Sequence, residues 1–232
     1  MPPTIRENIL RIQDRIAKAR EKSPRPTEIT LIAVSKTHPA ESIREAYQAG
    51  LRHFGENRVQ EWEGKRQQLE DLPATWHLIG HLQSNKSARA AKTFHSIDSV
   101  DDFALAQRLD HARTEFNIKE KLRVLIEVRV ENEATKTGAD FHTVPQLLEK
   151  ISQLKNLEAA GLMCIPPFLE DSEKVRPYFQ RLRKLRDDLA ASSGLPLPVL
   201  SMGMSHDFEI AIQEGATEVR IGTAIFGARP KP

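Results

Sequence analysis

One lysine, Lys36, follows the apolar run Ile29-Thr30-Leu31-Ile32-Ala33-Val34 and Ser35, and precedes Thr37-His38-Pro39. An ammonium emerging from such a run is partly desolvated, which lowers its pKa and favours the neutral nucleophilic amine, so Schiff-base chemistry is open to it. The alternative is a side chain that leaves the apolar run and solvates its charge. Far along the chain, Arg220 lies in Glu218-Val219-Arg220-Ile221, just ahead of Gly222-Thr223. A guanidinium inside an apolar strand cannot shed its proton and needs an acceptor, either a ligand or a structural carboxylate such as Glu56. Ser201-Met202-Gly203-Met204-Ser205 adds a loop of glycine and hydroxyls. Such loops let backbone approach an oxyanion, and a helix after Ser205 would present its positive end there, although the same residues also make turns and caps. Asn57, after Glu56, either hydrogen-bonds or covers a flat ring, or caps the following helix.

These groups need elements that bring them together. Apolar β-branched runs occur near Ile29 to Val34, Arg52 to Gly55, Trp76 to Ile79, Phe94 to Ile97, Leu122 to Val130, Leu157 to Cys164, Pro198 to Met202 and Thr217 to Ile221. Between them apolar residues recur at helical period, as at Ile43, Ala46 and Tyr47, or Phe179, Leu182, Leu185 and Leu189. Strands alternating with helices imply parallel pairing, and eight such units close an α/β (β/α)8 TIM barrel, with an open doubly wound sheet as the second choice. Ile5, Ile9, Ile12 and Ile16 mark an extra N-terminal helix ending before Ser23-Pro24-Arg25-Pro26. Only Ala224 to Pro232 follow the last strand, so that helix is expected to cover the barrel where an eighth would lie. With no long linker or repeat, 1–232 reads as a single domain.

Barrel closure pairs the eighth strand with the first, which brings Lys36 beside Arg220 although they stand 220 − 36 = 184 positions apart. Period-two alternation turns Arg220 and Gly222 into the barrel and Val219 and Ile221 toward the helices. The loops after strands seven and eight are the recurrent phosphate site of this architecture. Amine, guanidinium and phosphate cradle then share one rim, which is what pyridoxal 5′-phosphate requires: an aldehyde trap, a partner for the ring nitrogen and a phosphate anchor. Other rim candidates are Glu56, Gly80, Gln83, Asn85 and Lys86; Lys86 equally marks a helix start, and His77, within a strand, reads as a satisfied core histidine.

Composition narrows the classes. The 232 residues can bury one substantial core, and 34 basic against 32 acidic residues, a formal charge of +2, ask for no nucleic acid or anionic membrane. The N-terminal residues lack an apolar signal core and no apolar stretch is long enough to span a bilayer, so a soluble, cytoplasmic protein is expected. A single cysteine, Cys164, excludes an intrachain disulfide, suggests no metal site, and reads as a small core residue.

Ala33-Val34-Ser35-Lys36-Thr37, Phe54-Gly55-Glu56-Asn57, Trp76-His77-Leu78-Ile79-Gly80, Leu82-Gln83-Ser84-Asn85-Lys86, Gly161-Leu162-Met163, Ser201-Met202-Gly203-Met204-Ser205 and Val219 through Gly227 together resemble the pyridoxal phosphate homeostasis protein family. The resemblance runs in order through nearly the whole chain. That family is similar to the barrel domain of alanine racemase without its β-rich second domain. The resemblance implies that Lys36 holds pyridoxal 5′-phosphate as a Schiff base and Arg220 faces its ring nitrogen. It further implies that Ser201, Gly222 and Thr223, with Ser205, hold the phosphate, and that Asn57 lies near the ring. His81, where proline is frequent, and His206, where an acidic residue is common, depart from the pattern at the entrance.

Arginine at the ring nitrogen favours the unprotonated ring and makes the cofactor a poorer electron sink. A two-base racemase also needs a second acid/base, which the related enzyme takes from a tyrosine of its partner's β domain; here Tyr47 and Tyr178 both fall in helical segments. The expectation is therefore a monomeric carrier and buffer without catalytic residues, which limits free cofactor aldehyde and passes it to apo-enzymes. A weak amino-acid racemase using Lys36 as one base, and a barrel for another phosphorylated ligand, are the rivals.

Overall fold

Eight parallel strands close on themselves in sequence order: β1 (Thr30–Val34), β2 (His53–Glu56), β3 (Thr75–Leu78), β4 (Ser96–Val100), β5 (Leu122–Glu127), β6 (Leu157–Met163), β7 (Val199–Ser201) and β8 (Glu218–Ile221). The structure, a computed structural model, describes residues 3–131 and 137–227; the expected tail therefore lies partly outside it, at 228–232. The open sheet is excluded by the pairing of β1 with β8, Leu31 opposite Val219 and Ile32 opposite Arg220. β-Branched and aromatic residues form these strands because both sheet faces are covered.

The outward face supplies most of the core. Ala33, Phe54, Leu78, Ile97, Val124, Leu162, Val219 and Ile221 pack with the helices in one continuous apolar cluster. A much smaller apolar group, Leu125, Ala160 and Met163 with Val199, forms separately. Below it, at the strands' N-terminal ends, His53, His77, Ser96, Asp98, Arg123 and Glu218 form a hydrogen-bonded polar floor.

The N-terminal helix α1 (Ile5–Glu21) begins with a capping box between Thr4 and Glu7 and buries Ile9, Ile12 and Ile16. The other helices are α2 (Ala40–Gln48), α3 (Val59–Arg66), α4 (Ser87–Thr93), α5 (Phe103–Glu115), α6 (Val144–Ser152), α7 (Arg176–Ser193), α8 (Phe208–Gln213) and the single turn α9 (Thr223–Phe226). As expected, α1 covers the barrel beside the last strand: Asn8 Nδ2 donates to the Ile225 carbonyl at 2.9 Å, and Arg15 meets Glu209 at 2.9 Å. Among the described residues no helix is long and apolar enough to cross a membrane.

Candidate functional site

Lys36 sits half-buried in the turn from β1 to α2, closed by the His38 N–H donating to the Ser35 carbonyl at 3.1 Å. Thr37, next in the chain, has φ 66°, a left-handed conformation that β-branched residues rarely take. Its N–H donates to Glu61 Oε1 at 2.5 Å. The fully buried Ser35 hydroxyl donates to Glu56 Oε1 at 2.7 Å. Lys65 joins both carboxylates, at 2.6 Å to Glu61 and 3.2 Å to Glu56, and also donates to the Ser35 carbonyl at 3.1 Å. Burial raises the Glu56 pKa, opposed by Lys65 and by the Ser35 hydrogen bond. For Glu61 burial is outweighed by the bonds from Lys65 and the Thr37 N–H, which hold it below the usual range. On the other side of the turn the His38 ring stacks on Phe226 with centroids 4.7 Å apart.

Arg220 is almost wholly buried at 3% exposure, and its Nη atoms donate to Ser201 Oγ at 2.8 Å and the Cys164 carbonyl at 2.7 Å. Both acceptors are neutral. The structural ion pair with Glu56 weighed from the sequence does not form, because Glu56 is drawn instead to Ser35 and Lys65. Closure does unite the two ends of the chain, but the register refines the expected neighbourhood. Arg220 lies across from Ile32, while a Cβ on Gly222 would meet Val34 at 3.3 Å. β1 ends at Val34 and β8 at Ile221, so Lys36 lies in the turn beyond β1, while Gly222, against Val34, and Thr223 lie in the segment that follows β8.

The hydroxyl-bearing residues divide. Ser201 is buried and accepts from Arg220, Thr223 is exposed and opens α9, and Ser205 is half-buried in a turn. α8 starts only at Phe208, and the Met204 N–H is taken by Asp207 Oδ1 at 2.6 Å, so no helix end follows Ser205 directly. Burial raises the Asp207 pKa. Gly203 at φ 93° is required by close packing, since a Cβ there would come 2.6 Å from Ala211 Cβ.

Asn57 is not the cap of α3; that position is Arg58, without a side-chain cap bond. Its backbone fits against Gly80, where a Cβ would fall 2.6 Å from the Asn57 carbonyl. A cavity of about 500 Å³ is walled by Asn57, Arg58, His81, Gln83 and Lys86; Lys36 and Arg220 are not among its walls. Lys86 leads from the 3-10 turn Ser84–Lys86 into α4, as the helix-start reading has it. His206 is exposed and donates to the Leu169 carbonyl at 3.1 Å.

Burial raises the pKa of Glu127 as well, at the C-terminal end of β5, where the Thr137 hydroxyl donates to it at 2.8 Å. Sequence spacing does not single it out, although alternation from Arg123 through Leu125 carries the signal. His77 is a satisfied core histidine, wholly buried between His53 and Asp98 at 3.0 Å each. Its possible ligand atom lies within 4.8 Å of those of Asp98 and Glu218, but the Arg123 guanidinium on Glu218 already brings positive charge there. Cys164 is fully buried and its thiol is pushed up to about 12 by desolvation, in keeping with a core role.

The rim thus offers an amine, a buried guanidinium whose described hydrogen bonds go to neutral acceptors while its charge also acts on Glu127 and Asp207, and hydroxyls beside glycine. What that donor set lacks is an anion with a ring acceptor. A phosphorylated heteroaromatic aldehyde has this chemistry.

The model of the alanine racemase N-terminal domain family matches residues 8–230. The pyridoxal phosphate homeostasis protein of Pseudomonas aeruginosa is 48% identical over 227 residues, covering 97% of this chain and 96% of its own. That of Aquifex aeolicus is 47% identical over 224 residues, 96% and 97% of the two chains. The solved structure of PipY from Synechococcus elongatus, with PLP bound, superposes with a TM-score of 0.83 at 43% identity, covering 93% of this chain and 100% of that one.

Proposed function

The chain belongs to the pyridoxal phosphate homeostasis protein family, and from that membership we propose that it binds pyridoxal 5′-phosphate and serves its homeostasis as a carrier and buffer. The observation that carries this reading is Arg220, a buried guanidinium whose two described hydrogen-bond acceptors, the Ser201 hydroxyl and the Cys164 carbonyl, are neutral. When bound, pyridoxal 5′-phosphate supplies a reactive aldehyde. The Lys36 amine would hold that aldehyde at the β1 turn as a Schiff base, the carbonyl oxygen leaving as water. Arg220 donates toward the ring nitrogen, Ser201, Ser205, Gly222 and Thr223 contact the phosphate, and Asn57 lies beside the ring. The whole chain acts as one barrel domain, a cytoplasmic monomer that passes its cargo to apo-enzymes and uses neither nucleic acid nor membrane.

The positions of the two tyrosines support storage without turnover. Tyr47 lies in α2 beneath the Arg52 guanidinium, 4.1 Å away, and Tyr178 packs from α7 against the outer core. One observation favours a weak racemase as the second reading: Glu127, a buried carboxyl that holds its proton more tightly than usual, stands at a strand's C-terminal end.

Visible absorbance of the purified protein, then borohydride reduction and peptide mapping, tests the main reading. A pyridoxyl group on Lys36 is expected; a colourless protein with no such adduct sinks it. Incubation with L-alanine in deuterated water separates the two readings, since α-proton exchange appears only if the racemase is real.

A further inference from the structure

Lys65 lies beneath the Lys36 turn and reaches both of its sides. Its ammonium, with only 13% of the side chain exposed, donates to the carbonyl of Ser35 and to Glu61, and Glu61 accepts the N–H of Thr37. The residues immediately before and after Lys36 are therefore tied to one buried ion network through their backbone. Glu56 completes it by accepting from the Ser35 hydroxyl as well as from Lys65. A tetrahedral ammonium has three donors, and here three acceptors receive them: Ser35 O, Glu56 and Glu61. Thr37 needs such support, because at φ 66° a β-branched residue stays left-handed only when its surroundings over-determine it.

We propose that Lys65 and Glu61 are positioning residues for Lys36, clamping the backbone on either side of it so that its amine stands in reach of the ligand's aldehyde. The inference deepens the reading of Lys36 as the aldehyde-holding lysine and rests on it.

The test uses the full chain stripped of ligand and two probes. Pyridoxal 5′-phosphate is added and quenched with borohydride at timed intervals, and the pyridoxyl fraction on Lys36 is mapped. Pyridoxine 5′-phosphate, with an alcohol in place of the aldehyde, reports the phosphate and ring contacts alone. In Glu61→Ala and Lys65→Met, trapping slows about tenfold or more, as expected when a reacting group is displaced by a fraction of an ångström to an ångström. Pyridoxine 5′-phosphate affinity stays near that of the wild type. Glu61→Gln, which keeps an acceptor for the Thr37 N–H, recovers part of the rate. Lys65→Met leaves the buried Glu56 without its cation and is the variant at risk of misfolding; Glu61→Ala, at a half-buried site, decides the matter alone. Wild-type trapping in a folded Glu61→Ala protein overturns the clamp, and so does a proportional loss for both probes, which marks general loosening. If the wild type itself traps nothing on Lys36, the cofactor reading fails and takes the clamp with it.

Discussion

In the proposed site Lys36 and Arg220 would carry separable parts of the binding energy. Lys36→Ala would remove the proposed covalent bond but leave the charged donor at Arg220 and the loops around it. Weakened, reversible binding of pyridoxal 5′-phosphate is expected by equilibrium dialysis, with no borohydride-stable adduct; loss of all affinity in a folded protein contradicts the division. Glu127 governs a pH dependence. Burial raises its pKa in the folded chain, so the folded state binds the proton more tightly than the unfolded state. Its contribution is thus unfavourable above the raised folded value and fades as pH falls from there toward the ordinary carboxylate pKa of about 4.3. Melting curves across pH should show Glu127→Gln gaining on the wild type as pH rises through that window, and a pH-independent difference would count against it. Cys164, buried with its thiol near 12, should resist iodoacetamide until the chain unfolds; alkylation at native pH without denaturant is the contrary result. Lys36 and Arg220 were legible because strand ends and barrel closure follow from pattern. Glu61 and Lys65 were not, since an i,i+4 pair on a polar helix looks like a solvated face until α3 is seen against the turn.

At the scale of elements, all eight strands fall within the apolar runs or within a few residues of them, while their ends move for local reasons. β5 stops at Glu127, short of Val130; beyond it Val128 forms an isolated parallel bridge with Ala139, whose carbonyl accepts the Arg129 N–H at 2.9 Å. The helix expected after Ser205 is α8, which starts at Phe208 because the Asp207 carboxylate first closes the intervening turn, a delay that composition does not reveal. Gly161 marks the tightest strand contact: a Cβ there would fall 1.9 Å from the Val199 carbonyl, next to the register shift between Val124 and Leu125. Gly161→Ala should therefore cost about 3–5 kcal/mol or prevent folding, read from the urea midpoint, whereas a near-neutral effect would mean that β6 and β7 can part freely. The Asn8 amide on Ile225 ties α1 to α9, the turn that begins with Thr223. Asn8→Ala should cost about 1 kcal/mol and weaken phosphate retention, measured by pyridoxine 5′-phosphate binding; unchanged affinity would show that α9 holds its place without α1.

For the molecule as a whole, the proposed ligand site draws on β1 and on β7 and β8, the first and last parts of one closed ring. A ligand held at both ends binds the closed barrel and not the unfolded chain. Pyridoxal 5′-phosphate at a hundredfold excess over its Kd should then add about 2.7 kcal/mol of stability. A melting temperature indifferent to ligand would place the binding energy elsewhere. The closing contact of Ile32 with Arg220 spans nearly the entire sequence, so it belongs to the slow, non-local part of folding. On the ribosome, Lys36 emerges long before Arg220 and Thr223 have been translated. In the proposed reading a growing chain would carry that amine without its cradle, and capture of a reactive aldehyde would wait until β8 has been made, tying custody of the cofactor to closure of the ring.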